Sequence, residues 1–409
     1  MMINSHRLQS RIRRMNEIGQ LPGGGNRRLA LTNEDKAARD LLRQWFEEEG
    51  LEVQVDEVGN MYGFREGRNP GKAVALGSHL DTVSTGGKYD GTYGVLAALE
   101  VISVLNENKV VTDCPLVIVN FTNEEGARFA PDMMGSLVVS KPELRDAVWE
   151  ARDLNDNQVT VKAELARIGY LGTVRCGSVP IESYVELHIE QGPILEKEGT
   201  KIGVVEKVQG IYWTEYVLTG QAAHAGTTPI ELRRDPGLLA SRINVFLREM
   251  AMRHPPQLAT IGLMEYYPNV INVVPERVRL VTDLRNPFVK GLVESQRQLD
   301  EFVLDQALAA GIEVRRTEQV RLSPVDFSQE IVSVLETCAA ERGLSTRRMV
   351  SGAGHDAQMM AAVAKAAMIF VPSAGGISHN EKEHTSPADL ENGANLLLDV
   401  ALRLARQTS

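Results

Sequence analysis

The stretch Leu116–Arg128, L-V-I-V-N-F-T-N-E-E-G-A-R, places an apolar run directly before two adjacent carboxylates. The run Leu116–Phe121 is typical of a buried strand, and the acidic pair is Glu124 and Glu125. Consecutive side chains that leave a strand end point in different directions, so one carboxylate can bind a metal ion while its neighbour faces a substrate. Spacing leaves open which glutamate does which, and a solvated Glu-Glu turn is the alternative.

The segments around this stretch predict an α/β core. Helical periodicity covers Asn33–Glu49 and Gly94–Asn106, and short apolar runs typical of strands lie between the helices. The glycine-rich loop G-S-H-L-D-T-V-S-T-G-G-K-Y-D-G follows one of these strands directly. Strand, loop, helix and strand alternate as in a βαβ unit, and sheets of this kind place their chemistry at strand ends.

A second domain is predicted between residues 211 and 326. After Gly210 the pattern changes to strand, helix, strand, strand, helix, strand, which is the order of a ferredoxin-like unit. We therefore expect a catalytic domain in two parts, residues 1–210 and 327–409, with this β-α-β-β-α-β unit inserted between them. One face or an edge strand of the inserted sheet would be open for association.

Composition and charge exclude several classes of protein. The 409 residues are 43% hydrophobic, enough for a large core, and the net charge is −10. An acidic chain without a basic block is not suited to bind nucleic acid or an anionic membrane. No apolar run has the length of a membrane span or of a secretion signal. The 3 cysteines lack close spacing, so we expect reduced thiols in a cytoplasmic protein.

A set of residues of metal-ligand type stands at predicted strand and loop ends. They are His79, Asp90, Glu125, His188 and His384. Two imidazoles and a carboxylate can complete one zinc site, and a shared carboxylate with a further carboxylate and imidazole can complete a second. A bridging aspartate would hold the ions about 3.5–4 Å apart, as in paired-metal hydrolases. Asp81 is placed to orient the imidazole of His79. For each histidine taken alone, a structural role is the alternative.

Taken together and in this order, the motifs of the chain resemble one group of di-zinc amidohydrolases. The motifs are G-S-H-L-D-T-V, G-G-K-Y-D-G, F-T-N-E-E-G-A-R-F, E-L-H-I-E-Q-G, A-A-H-A-G-T-T-P, N-V-I-N-V-V-P, D-L-R, S-G-A-G-H-D-A and G-I-S-H-N-E-K-E-H-T. The group comprises N-carbamoyl-L-amino acid hydrolases, allantoate amidohydrolases and β-ureidopropionases, within the aminoacylase and dipeptidase superfamily. The resemblance runs from about Gln20 to the C-terminus. It implies a zinc-peptidase-like core with an inserted lid that also forms the dimer.

The resemblance also implies a role for each candidate ligand. One metal would be held by His79, Asp90 and His188, and the other by Asp90, Glu125 and His384, with Asp90 bridging the two. The ions would be Zn²⁺, with Mn²⁺ or Co²⁺ as substitutes. Glu124 would be the general base, which assigns the two glutamates that spacing leaves open. A histidine at position 188, where peptidase relatives often carry a carboxylate, favours carbamoyl and ureido substrates. Asn123 stands where those relatives commonly have Asp, and it is expected to tune the site.

Substrate recognition is expected from the inserted unit. By the same resemblance, Arg285 would clamp a substrate carboxylate, His224 would donate to the developing oxyanion, and Asn272 would also reach the substrate. Gln191 would line the pocket. A salt bridge on a strand is the alternative for Arg285, and a turn-capping role is the alternative for His224. The other conspicuous polar groups are expected to shape loops, to support the site or to contact substrate; they are His355, Asp356 and His379.

These expectations combine into a hydrolase of linear C–N bonds outside peptides. The predicted substrate is an N-carbamoyl-L-amino acid, cleaved to the L-amino acid, carbon dioxide and ammonia by a homodimer. Allantoate is the alternative substrate, because G-A-G-H-D-A-Q and G-I-S-H-N resemble both kinds of enzyme. A catalytically silent binding relative is the alternative from another class. It predicts a broken site, whereas Glu124 and every ligand candidate are present.

Overall fold

The structure is a computed structural model that describes residues 1–406. The chain divides into two compact units, the first formed by Met1–Glu206 with the chain from Asp326 onward, and the second by Lys207–Val325. The first unit combines a central sheet with surrounding helices. The predicted α/β fold class is therefore confirmed.

The strands and helices of the described chain are numbered in chain order. The strands are β1 (Glu52–Val55), β2 (Met61–Arg65), β3 (Ala73–His79), β4 (Leu116–Phe121), β5 (Ile181–Ile189), β6 (Ile202–Val208), β7 (Gly210–Thr219), β8 (Ala223–His224), β9 (Leu258–Tyr267), β10 (Val273–Val274), β11 (Arg277–Asn286), β12 (Glu313–Leu322), β13 (Val325–Asp326), β14 (Thr346–Ser351) and β15 (Lys365–Val371). The helices are α1 (Ser5–Asn16), α2 (Asn33–Glu48), α3 (Thr92–Glu107), α4 (Met134–Ser140), α5 (Arg145–Trp149), α6 (Val161–Ile168), α7 (Ile194–Glu198), α8 (Pro236–Arg253), α9 (Val289–Ala310), α10 (Gln329–Glu341), α11 (Asp356–Met360) and α12 (Pro387–Leu404).

The sheet of the first unit has a parallel centre. Its order is β1-β2-β4-β3-β5-β15-β6-β13, and β14 pairs with β6. The pairs β4-β3, β3-β5 and β5-β15 are parallel, whereas β1, β2 and β6 join antiparallel. Every residue of β3 and β4 is buried, as expected for strands covered on both faces. The carboxyl ends of the four central strands consequently lie along one edge of the sheet.

Helix α3 covers this parallel centre and is buried on nearly all sides. Residues 92–105 are all buried, so the helix is a core element with no solvent-exposed polar face. It packs against β3 and β5 and also contacts α1 and α12. The loop that leads from β3 into α3 is therefore anchored at both ends by buried structure.

The second unit is a four-stranded antiparallel sheet with two helices. Its order is β12-β7-β11-β9, and chain order gives the sequence β-α-β-β-α-β of ferredoxin-like units. Alternate residues of β7, such as Tyr216 and Leu218, are buried in a cluster with Ile243 of α8 and Leu299 of α9. The helices thus cover one face of the sheet. A separate two-stranded ribbon joins β8 to β10.

No helix within residues 1–406 is both long enough and apolar enough to cross a membrane.

Candidate metal centre and active site

The candidate residues of the first unit converge because they follow the ends of parallel strands. His79 is the last residue of β3 and pairs in register with Phe121, the last residue of β4. The loop after β4 carries Glu124 and Glu125, and His188 is the next-to-last residue of β5. Polar groups at adjacent carboxyl ends of parallel strands are the usual place for a site in an α/β sheet.

A first group of ligand type contains His79, Asp90 and His188, whose ligand atoms all lie within 4.8 Å of one another. Asp90 Oδ1 is 3.1 Å from His188 Nε2 and 3.8 Å from His79 Nε2. The Nδ1 atoms of the two rings lie 2.9 Å from backbone carbonyl oxygens, those of Asp81 and Ile189. This contact sets the tautomer with the proton on Nδ1, so each ring presents Nε2 toward Asp90.

Gly91 makes the close approach of these side chains possible. Its φ is +60°, and a Cβ on this residue would lie 2.4 Å from the ring of His79. Its N–H donates to His188 Nε2 at 3.2 Å. Any larger residue would clash with the imidazole as well as strain the backbone, so the glycine after Asp90 is part of the construction of the site.

A second group contains Asp90, Glu125 and His379. His379 Nε2 lies 3.3 Å from Asp90 Oδ2 and 3.1 Å from Glu125 Oε2. Asp90 therefore turns one oxygen to the first group and the other to the second, which is the arrangement expected of a bridging carboxylate. The sequence did not single out His379 for this position.

His384 lies elsewhere in the described structure. Its side chain is exposed, its ring packs edge-on against Tyr89 with centroids 6.3 Å apart, and its backbone oxygen accepts a hydrogen bond from Ala374. In residues 1–406 it belongs to none of the groups of ligand atoms. Its predicted role as a ligand thus stays a prediction, and the structure places His379 against the same two carboxylates.

Glu124 and Glu125 point to different neighbours. Glu124 Oε2 lies 3.5 Å from His79 Nε2, whereas Glu125 Oε2 contacts His379. The turn that leads into the pair contains Asn123 with φ +55°, held by its side-chain amide, which donates to the carbonyl oxygens of Phe129 and Pro131. A non-glycine residue in this region carries backbone strain that its surroundings must offset.

Asp81 links the two halves of the site. Its carbonyl oxygen, and not its carboxylate, contacts His79 Nδ1. Its carboxylate oxygens accept from the backbone N–H groups of Glu124 and Glu125, each at 3.2 Å. Asp81 is fully buried, and burial raises its pKa to about 7. One residue therefore orients both the first imidazole and the acidic pair.

A wall of buried polar groups lies behind His188. The ring of His355 is 4.6 Å from that of His188, and its Nε2 is 3.0 Å from Ser351 Oγ. Glu186, two residues before His188 on β5, accepts from Ser78 Oγ at 2.7 Å and from the N–H of Ala357 at 2.8 Å. Glu186, His188 and His355 form a further group of ligand type.

Two further residues complete the polar surroundings of the site. Asp356 accepts from Ser136 Oγ at 2.5 Å and is fully buried. Gln191 donates from Nε2 to Asp90 Oδ2 at 2.9 Å, so its side chain lies against this carboxylate. Glu186 was missed by the sequence reasoning, although strand alternation in E-L-H-I-E places it on the same side as His188.

The electrostatics of the site follow from burial and from the number of carboxylates. Burial lowers the pKa of His79 to about 4. Burial acts in the same direction on His188, but the contact with Asp90 outweighs it and raises the pKa to about 9. Burial, followed by the charges of Asp356 and Glu125, raises the pKa of Glu124 well above its ordinary value. Burial also raises the pKa of Glu125. The site thus holds more carboxylates than it can ionise at low cost.

Three of the four substrate-binding candidates lie in the second unit, namely His224, Asn272 and Arg285. His224 on β8 pairs in register with Val273, and the oxygen of Asn272 accepts from the N–H of Ala225, so His224 and Asn272 are neighbours. His224 Nδ1 accepts from the N–H groups of Gly226 and Thr227, which leaves Nε2 as the proton carrier in the neutral ring. Arg285 on β11 forms a close ion pair with Asp283 on the same face of the sheet.

The donor set fits divalent metal ions. Imidazole nitrogens and carboxylate oxygens are the ligands of zinc and of related transition metals. Glu125 Oε1 is buried and has no hydrogen-bond partner within the described chain, so it is available to an ion. A divalent cation would also offset the buried negative charge of Asp90, Glu124 and Glu125. The residues of both groups that share Asp90 therefore suit a pair of ions.

Comparison with known proteins identifies the class. The sequence pattern of peptidase family M20/M25/M40 matches residues 75–403. The chain therefore belongs to this family, whose enzymes are metal-dependent hydrolases.

Particular relatives place the chain more narrowly. The N-carbamoyl-L-amino-acid amidohydrolase of Rhizobium meliloti is 38% identical over 98% of this chain and 97% of its own length. The allantoate amidohydrolase of Bacillus subtilis is 36% identical over 95% of each chain. A crystal structure of an amidase of the hydantoinase/carbamoylase family from Burkholderia multivorans has a TM-score of 0.95 and 42% identity, covering 100% of this chain and 99% of that one. The predicted resemblance is confirmed, and these relatives are amidohydrolases that act on C–N bonds outside peptides.

Proposed function

We propose that the protein is a metal-dependent amidohydrolase that cleaves the ureido C–N bond of an N-carbamoyl-L-amino acid. The observation that carries the proposal is the orientation of Asp90, whose two oxygens face two separate groups of ligand atoms beside a buried general-base candidate. A bridging carboxylate with a glutamate at its side is suited to hydrolysis at a paired-metal centre. The products would be the L-amino acid, carbon dioxide and ammonia.

In this proposal two sets of side chains would each hold one ion. His79, Asp90 and His188 would hold the first, and Asp90, Glu125 and His384 the second. His379 is the alternative to His384 by position. His379 already lies against both carboxylates, whereas His384 is proposed from the resemblance of G-I-S-H-N-E-K-E-H-T to the amidohydrolase group. Bound ions would supply Lewis-acid activation of water and of the scissile carbonyl.

Glu124 would move the proton. Its carboxylate accepts a proton from the attacking water and then donates it to the departing nitrogen as the tetrahedral species collapses. The raised pKa of Glu124 suits this task, because a carboxylate with a higher pKa is a stronger base toward the proton of water. Asp81 supports the step by fixing the backbone of Glu124.

Residues of the second unit would recognise the substrate. His224 presents an N–H at Nε2, which suits a donor to the developing oxyanion. Arg285 would exchange its ion pair with Asp283 for the substrate carboxylate, and Asn272 would contact the same molecule. Gln191, which donates to Asp90, would contact the substrate beside the metal centre.

Allantoate is the second candidate substrate. The similarity to the B. subtilis allantoate amidohydrolase is nearly equal to that to the carbamoyl amino acid enzyme, at 36% and 38%. Both substrates carry a ureido group and a carboxylate, so the same residues would serve either. A catalytically silent binding relative is disfavoured because Glu124 lies beside the assembled group of His79, Asp90 and His188.

A second copy of the chain is the proposed partner, in the cytoplasm. Helix α8 exposes Leu238, Val245 and Met252 at heptad spacing, and it packs beside β9, which is an edge strand of its sheet. Arg242 and Glu249 flank the central Val245. An antiparallel copy related by a two-fold axis would bury the apolar stripe and place opposite charges across it.

The proposal is tested by ammonia release from a panel of substrates with Zn²⁺, Mn²⁺ or Co²⁺ supplied. The panel contains several N-carbamoyl-L-amino acids, N-carbamoyl-β-alanine, ureidoglycolate and allantoate, with a dipeptide as control. We expect the highest kcat/KM for one of the N-carbamoyl-L-amino acids. A preference for allantoate would select the second candidate, and release of amino acids from the dipeptide alone would contradict the substrate class.

A further inference from the structure

Arg28 is a fully buried guanidinium behind the candidate metal centre. Its side chain is inaccessible to solvent, and none of its partners in residues 1–406 is a carboxylate. Burying a charge without a counterion is costly, so such a residue persists only where its hydrogen bonds are needed. Burial lowers its pKa to about 10, opposed by the charges of Asp35 and Asp81, so the guanidinium stays protonated at neutral pH.

The hydrogen bonds of Arg28 reach the two loops that carry His79 and Asp90. Its Nε donates to the carbonyl oxygen of Leu80 at 2.7 Å, in the residue directly after His79. Its Nη2 donates to Thr92 Oγ1 at 2.8 Å, two residues after Asp90. One planar group therefore spans from the end of β3 to the start of α3.

The rest of Arg28 attaches these loops to the N-terminal segment. Nη1 donates to the carbonyl oxygens of Met15 and Ile18 and to Asn26 Oδ1, at 3.1–3.2 Å. The backbone of Arg28 forms two hydrogen bonds with Thr82. The Arg28 N–H donates to Thr82 Oγ1 at 2.8 Å, and the Arg28 carbonyl oxygen accepts from the Thr82 N–H at 3.0 Å. A lysine has one donor atom and cannot reproduce this fork of donors in fixed directions.

We propose that Arg28 is a positioning residue that sets the separation of His79 and Asp90 for metal binding, an inference that rests on the metal centre of the proposed function. It contacts neither candidate ligand directly and acts through Leu80 and Thr92. Outer partners of this kind typically change metal affinity by about 10–100-fold when they are removed. Loss of Arg28 removes no ligand residue, but it removes the hydrogen bonds that connect the loop after His79 to the loop after Asp90.

The test compares metal binding in Arg28→Lys and in a matched control, Arg65→Lys. Arg65 is a partly buried arginine of the same unit whose guanidinium also bonds neutral acceptors, Asn106 Oδ1 and the carbonyl of Val110, away from the site. Zn²⁺ and Co²⁺ dissociation constants are measured by competition with a chromophoric chelator, without substrate. We expect Arg28→Lys to bind the first ion roughly 10–100-fold more weakly. Arg65→Lys is expected to bind it like the wild type.

A milder variant covers the case in which Arg28→Lys does not fold. Thr92→Val removes the acceptor of Nη2 and keeps the shape of the side chain, and it is expected to weaken metal binding in the same direction. At saturating metal both variants should lose kcat with KM within about twofold of wild type, because Arg28 touches no substrate. Folded variants with wild-type metal affinity would overturn the inference. Wild-type protein that binds metal but hydrolyses nothing in the substrate panel would overturn the proposed function alone.

Discussion

Replacement of Glu124 by Gln separates proton transfer from metal binding. Glu124 lies outside both ligand groups that share Asp90, so Glu124→Gln should still bind two equivalents of metal. Its carboxylate is the proposed base, and a positioned general base contributes about 10²–10⁴-fold, or roughly 3–5 kcal/mol of barrier. We therefore expect kcat to fall by that factor while KM changes little.

Although Glu124→Gln is expected to lower activity, it should raise the stability of the metal-free protein at neutral pH. The pKa of Glu124 is raised in the folded state by burial and then by the neighbouring carboxylates, so the folded protein binds this proton more tightly than the unfolded chain does. Stability is then fully present below the unfolded pKa of about 4.5 and is lost as pH rises toward the folded pKa, by up to about 1.4 kcal/mol for each pH unit in between. Gln carries no such proton. In the presence of a chelator, Glu124→Gln should consequently have a higher unfolding temperature than wild type at pH 7–8, and the difference should shrink toward pH 4.

Three measurements check this reasoning: ammonia release at saturating metal, metal content by elemental analysis, and thermal unfolding with chelator from pH 4 to pH 8. Glu125→Gln is the matched neighbour, and it is expected to lose metal as well as activity because Glu125 belongs to the second ligand group. Activity of Glu124→Gln within tenfold of wild type would refute the assignment of the base. Metal loss equal to that of Glu125→Gln would refute the division of roles between the two glutamates.

Other variants test the remaining assignments. His384→Asn is expected to retain one metal equivalent and His379→Asn two, by elemental analysis; the reverse result would make His379 the ligand. Arg285→Ala should raise KM for carboxylate substrates roughly 10–100-fold, the value of a charged hydrogen-bonded pair, and an unchanged KM would exclude the clamp. Val245→Glu should shift the protein from dimer to monomer in light scattering, whereas Asn244→Glu, also on an exposed position of α8, should not. If light scattering gives the same oligomeric mass for both variants, the dimer interface does not include Val245.

The fold was predictable where local patterns and tertiary burial agree. The predicted helix at Asn33–Glu49 is observed at Asn33–Glu48, and Thr32 caps it by accepting from the N–H of Asp35. Helix α1 was not predicted, because its many arginines weaken the apolar pattern formed by Leu8, Ile12 and Met15. These three residues are buried in the folded chain, where α1 packs against α3. The periodic pattern of a helix is visible in sequence, but the surface that makes it stable is not.

The sequence indicates which residue types belong to the site, but it does not predict all the contacts among their side chains. The ends of adjacent parallel strands bring His79 and His188 close to Asp90, because the sheet topology places these strands side by side. The contact of His379 with the two carboxylates depends on the path of the exposed loop after β15, which no periodicity encodes. Arg28 gave no signal at all, because its role appears only when distant loops meet.

Charge explains why the site is built for divalent ions. The negative groups of the centre are buried together, and the contacts of His188 and His379 hold the pKa of Asp90 well below its usual range although burial raises it. The carboxylates in return favour the protonated forms of both imidazoles: contact with Asp90 outweighs burial and raises the pKa of His188 to about 9, and hydrogen bonds to Asp90 and Glu125 raise the pKa of His379 to about 11. Protons thus supply the positive charge that the carboxylates require. A metal ligand must be unprotonated, so an ion held by His188 would have to displace a proton from this ring, and metal affinity is expected to rise with pH.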